Sequence, residues 1–138
     1  TGVDEGDVVP VLDAARILQL QRLVRSVPTS DAILEYAADL VRATRPGPGA
    51  TAPTVTEALR WGAGPRAGQA LILGAKAHAL LRGRLHVSPD DVRRVAAPVL
   101  RHRIVLNFQA EAAGVTADTV VDRLLDAVRP PHRRGALT

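Results

Sequence analysis

Apolar residues in this chain recur at helical spacing in short blocks, and each block is closed by proline or glycine. Ile17, Leu20, Leu23, Val24 and Val27 form the first stripe, with Arg16, Gln19, Arg22 and Arg25 off it. Asp13 is placed to cap that helix and Pro28 to close it. Thr29, Ser30 and Asp31 restart the chain ahead of a second stripe, Ile33, Ala37, Leu40 and Val41. No alternating strand pattern recurs and no internal repeat is evident. The chain is therefore expected to be all-α, a small bundle of about five helices.

The segment from Arg45 to Thr56 reads RPGPGATAPTVT, and its prolines and glycines predict a Pro/Gly-rich surface loop. A short helical turn is expected over Glu57 to Trp61, and Ile104 to Leu106 as an extended piece. Pro65 fits the first position of a long helix bearing Ala67, Ala70, Leu71, Gly74, Ala77, Leu80 and Leu81. Small residues on that face admit a close neighbour, and Gly83 supplies the stop. Ser88, Pro89 and Asp91 spell the clearest helix start: a cap, a first-turn proline and a carboxylate that reaches back. Val92, Val95, Ala96, Val99 and Leu100 follow. Pro98 within that stripe predicts a kink or break near Ala96 or Ala97. Thr116 caps a last helix with Val120, Val121, Leu124, Leu125 and Val128 on its stripe. Pro130 and Pro131 end it.

Composition excludes several functions. The 138 residues contain no Cys, so disulfides, thiolate metal sites and Cys nucleophiles are out. No apolar run is long enough for a membrane span and no secretory leader opens the chain, so a cytoplasmic location is expected. There is no Met; the chain opens Thr1-Gly2-Val3 and reads as a piece excised from a longer protein. No phosphate loop, dinucleotide fingerprint, paired-His zinc spacing or nucleophile elbow occurs. His78, His86, His102 and His132 are scattered, so no metal site is expected, and Asp90 and Asp91 read as helix-capping carboxylates. The net charge of +4 could answer nucleic acid, but Arg residues are spread among Asp and Glu, and 2% aromatics provide no stacking platform.

One constellation stands out. Arg66 falls at the second position of the helix begun by Pro65, where the helix dipole disfavours a cation. Either Arg66 is exposed and the cost is screened, or an anion joins the guanidinium and the free N–H groups there. On the residues alone the readings stand level. Gly62 and Gly64, which let backbone approach a ligand, favour the second. Trp61 beside them has two readings, contact with adenine or a neighbouring subunit, or a cover for the edge of a small core. Arg101-His102-Arg103 reads as a solvated basic helix end.

Trp61-Gly62-Ala63-Gly64-Pro65-Arg66-Ala67 resembles the sensor-2 motif of MoxR-type AAA+ ATPases, usually G-A-S-P-R. Leu81-Arg82-Gly83-Arg84, Val87-Ser88-Pro89-Asp90-Asp91-Val92 and Val99-Leu100-Arg101-His102-Arg103 resemble the same bacterial family's lid in order. So does Leu20-Gln21-Arg22-Leu23-Val24-Arg25 followed by Ser30-Asp31. Magnesium-chelatase ATPase subunits share parts of this pattern. The resemblance implies a linker over 1–12 from an absent AAA+ core, a helical lid over 13–129 and a basic tail over 130–138. It implies that ATP and Mg2+ are bound by the full-length parent, with none held by the fragment alone. Gly62, Gly64, Pro65 and Arg66 would then lie at the nucleotide, with Arg66 acting in ATP hydrolysis on the γ-phosphate. The partners implied are the protein's own core, neighbouring subunits of a homo-hexamer, and von Willebrand factor A domain proteins in chaperone-like remodelling. Membrane insertion is not expected. One departure is Gly64, where the family has Ser. A nucleic-acid-binding domain and a nucleotide-independent protein-interaction module are the alternatives.

Overall fold

The computed structural model describes residues 9–131. Most of the expected linker and tail, 1–8 and 132–138 with His132, lies outside the described residues. The elements run α1 (Ala14–Ser26), α2 (Asp31–Ala43), α3 (Pro53–Thr56), β1 (Leu59–Trp61), α4 (Pro65–Leu81), α5 (Pro89–Leu100), β2 (Val105–Leu106), α6 (Phe108–Ala112) and α7 (Ala117–Ala127). Five of these helices have eleven residues or more, as the periodicity predicts. The other two are single turns. β1 and β2 form a small antiparallel sheet that pairs Leu59 with Leu106 and Trp61 with Val105 across a bulge.

The ends of the helices follow local chemistry. Asp13 accepts the amide of Arg16 at 2.7 Å, and Thr116 accepts that of Thr119 at 3.1 Å. Asn107, which the sequence reading passed over, caps α6 through Ala110 at 2.9 Å. α4 closes in a Schellman motif: Gly83 N–H donates to Leu80 and Arg84 N–H to Ala79, both at 2.9 Å, with Gly83 at φ +70°.

α4 forms the spine. Ala67, Leu71, Ala75 and Ala79 are buried along it. At Gly74 a Cβ would meet Val95 of α5 at 3.4 Å, so the small residue sets how closely the two helices pack. The stripes of α2, α5 and α7 close the core, with Leu40, Leu71, Leu100 and Leu124 fully buried. Tyr36 joins them.

Four expectations change. The turn placed at Glu57 to Trp61 lies earlier, at Pro53–Thr56, and Leu59–Trp61 is a strand. The second half of the Pro/Gly segment is packed, with Ala52, Val55 and Thr56 buried. Pro53 allows this because a first-turn position needs no N–H. α5 runs through Pro98 without a break. Pro98 is exposed near the helix end, and the carbonyl it leaves free belongs to exposed Arg94, on the solvent side. Finally, of the α1 stripe only Val27, just past the end of the helix, joins the core. No residue of α1 is buried, and Ile17, Leu20 and Leu23 remain exposed.

Candidate functional site

The segment ahead of α4 is held by Thr44, at the end of α2. Thr44 is buried; its hydroxyl donates to the Val41 carbonyl at 2.7 Å and accepts the amide of Ala63 at 2.9 Å. A Cβ on Gly62 would lie 2.2 Å from the Thr44 carbonyl oxygen. The contact with the Thr44 backbone therefore by itself requires glycine at Gly62. Gly64 differs: nothing lies within 4 Å of where its Cβ would stand. It is the N-cap of α4, extended at φ −88° and ψ 177°, with no side chain to cap the helix.

Pro65 and Arg66 follow as the first two helical residues. Pro65 has no N–H, and the Arg66 amide is among the donors a first turn leaves over. Gly64, Pro65 and Arg66 are exposed, and Arg66 has no ion-pair partner among the described residues. A cation thus sits uncompensated beside the positive end of a seventeen-residue helix. Bare donors, dipole and guanidinium at one corner can accept an anion.

Trp61 is 62% exposed on β1, so it does not cover the core edge. The Arg101–Arg103 segment is tied to its own helix: Arg101 Nε donates to the Ala97 carbonyl at 3.2 Å and Arg103 to that of Val99. Arg101 also meets Asp118 at 3.2 Å on the surface.

A second polar cluster went unread in the sequence. Asp91 is fully buried and gathers donors from three directions. Arg84 reaches it with both terminal nitrogens at 2.7 and 2.5 Å. The Ser88 amide donates at 2.8 Å and the Ser88 hydroxyl at 2.7 Å, while His78 Nδ1 lies 2.7 Å away. Burial pushes the carboxyl pKa up, but Arg84, Ser88 and His78 outweigh it and hold Asp91 well below the usual carboxylate range. The same pairing raises Arg84. The cluster joins α4, the turn after it and the start of α5; it is a structural lock. Asp91 was legible as a cap, whereas its use of Arg84 and His78 depends on how α4 and α5 meet.

Among the described residues no three His, Cys, Asp or Glu side chains gather as a metal site, and no helix is long and apolar enough to cross a membrane.

A small helical bundle with a bared helix start is a form shared with known proteins. The AAA lid domain family matches residues 51–124, and the chain belongs to that family. Two of its relatives carry the MoxR name. Chaperone MoxR1 of Mycobacterium tuberculosis is 34% identical over 95% of this chain and 35% of its own length. Protein MoxR of Paracoccus denitrificans is 39% identical over 71% of this chain and 29% of its own. YeaC of Bacillus subtilis, an uncharacterised protein, is 34% identical over 93% and 37%. A crystal structure of a candidate ATPase from Cytophaga hutchinsonii superposes with a TM-score of 0.78 at 31% identity, over 86% of this chain and 36% of that one. The chain spans about a third of the length of the curated relatives it matches.

Proposed function

We propose that this lid domain senses ATP in a full-length MoxR-type ATPase, and that Arg66 is its sensor-2 residue. One observation carries the reading: Arg66 stands exposed at the second position of α4, without a carboxylate partner among the described residues. A phosphate fits there, because a guanidinium fork, an unused amide and the open space at Gly64 coincide. Bound ATP would supply the γ-phosphoryl group, whose negative charge is spread over its three equatorial oxygens in the transition state, and Mg2+ and the phosphate loop would belong to the core. Arg66 neutralises that charge. Pro65 and Gly64 hold the helix start open to it, and Gly62, pinned on Thr44, fixes the loop. When the γ-phosphate leaves, Arg66 loses its partner, and the orientation of the lid on the core becomes coupled to nucleotide state.

Around this site the parent works as a homo-hexamer in the cytoplasm, where lid movement drives chaperone-like remodelling of partners such as von Willebrand factor A domain proteins. The name of the mycobacterial relative, Chaperone MoxR1, supports this reading. Arg66→Ala in the full-length parent tests it. Nucleotide binding is expected to persist while turnover falls by about tenfold or more. Unchanged turnover would overturn the assignment.

A further inference from the structure

A groove of about 740 Å3 runs between α2 and α4. Its floor is apolar: Ala38 and Val41 face Gly68 and Ile72, and Leu34 and Leu73 form the lips, 43% and 46% exposed. The α4 side follows one helix face from Pro65 to Lys76, about three turns or ~16 Å. All charged residues lining it have the same sign. Arg25, Arg42, Arg45 and Lys76 line it, and among the described residues no Asp or Glu does. Of the four, Arg42 pairs with exposed Asp39 one turn back. Lys76 donates to the Arg25 carbonyl at 3.1 Å, a bond that leaves both cations uncompensated.

We propose that this groove docks an amphipathic helix of a partner protein, one with Asp or Glu flanking its apolar stripe. The length suits a three-turn helix laid between two others, and Ala38 and Gly68 leave room on the floor for branched side chains. The rim selects by charge, since a basic or uncharged helix forfeits its complementarity. A second copy of this chain is a poor occupant. Its exposed stripe, on α1, comes with Arg16, Arg22 and Arg25 and no acid. Its acidic helices, α2 and α7, already spend their stripes in the core. Arg66 does not line the groove, and only Pro65, at the groove's end, is shared with the phosphate reading.

The test uses the 138-residue chain and designed helical peptides of about 18 residues, long enough to hold some helix alone. One has a Leu stripe flanked by Glu, a second has Lys flanks, and a third has Ser replacing the stripe. The Glu peptide is expected to bind, to weaken as salt rises, and to shift the amide resonances of Ala38, Val41, Gly68 and Ile72. The Lys and Ser peptides are expected to bind at least about tenfold more weakly. Leu73→Asp should weaken the Glu peptide by about tenfold and Arg45→Glu by a few-fold. Arg45 is exposed, so its variant reports even if Leu73→Asp does not fold. Equal binding of the Glu and Lys peptides, or no binding of either, overturns the proposal. So does self-association through the groove, or ATP alone shifting the same four amides.

Discussion

The amide of Ala63 donates to the hydroxyl of Thr44 across 2.9 Å, and this bond joins the end of α2 to the loop that launches α4. Both residues are buried, so water cannot replace a lost partner. Thr44→Val keeps the shape and removes the hydroxyl. It is expected to cost about 1–3 kcal/mol in urea unfolding and to speed hydrogen exchange at Ala63. Thr44→Ser should restore most of both.

Two glycines two residues apart, Gly62 and Gly64, should respond in opposite directions. Gly62→Ala drives a methyl group to 2.2 Å from a backbone oxygen, which cannot rotate away. A loss of about 1–3 kcal/mol or more is expected. Gly64→Ser meets open space and adds a capping hydroxyl, so stability should rise by a few tenths of a kcal/mol. Parallel denaturation curves of both variants check this contrast.

Asp91 ties stability to acidity. Its pKa is lower folded than unfolded, so its contribution is complete above the unfolded carboxylate value, about 3.9, and drains away as pH falls below that. Melting the chain between pH 6 and pH 2.5 (values chosen to bracket about 3.9) should show the wild type losing its advantage over Asp91→Asn. A gap that is constant across the range would contradict this. At neutral pH Asp91→Ala should fall near the lower end of about 3–5 kcal/mol, because the abandoned Arg84 keeps some contact with water.

Gly83 ends α4 at φ +70° with nothing near its Cβ position. Gly83→Ala therefore incurs only the backbone cost, about 1 kcal/mol by thermal or urea unfolding. A neutral result would mean that the Schellman turn is not what stops the helix.

Arg66 should matter little to folding. It is exposed and has no ion-pair partner among the described residues, so Arg66→Ala should unfold within about 0.5 kcal/mol of the wild type. That separates a loss of turnover in the parent from a damaged lid.

The caps were the most legible part of the sequence. Asp13, Ser88, Asp91 and Thr116 act within three residues of their own positions, so spacing alone reveals them. The long helices follow for the same reason. The extended piece at Ile104 to Leu106 was legible and contains β2, but β1 and its pairing with β2 were not, because three residues are too few to show alternation. The Pro98 reading failed on depth: a proline breaks a helix less readily where the freed carbonyl faces water. At the site, Pro65 and Arg66 could be placed from the helix start, whereas Gly62 could not be interpreted without Thr44, eighteen positions away. His78 and Arg84 show the same limit, since their shared carboxylate is brought to them by packing.

The first helix has a consequence of its own. Thirteen residues make a marginal helix in water, and this one sinks none of them into the interior. Its coil-to-helix balance therefore draws only partial support from the rest of the molecule, through half-buried Val24 and the bond from Lys76 to the Arg25 carbonyl. Spectroscopic helicity over Ala14–Ser26 would then report what the segment touches, much as a weathervane reports wind while the building beneath it stays still.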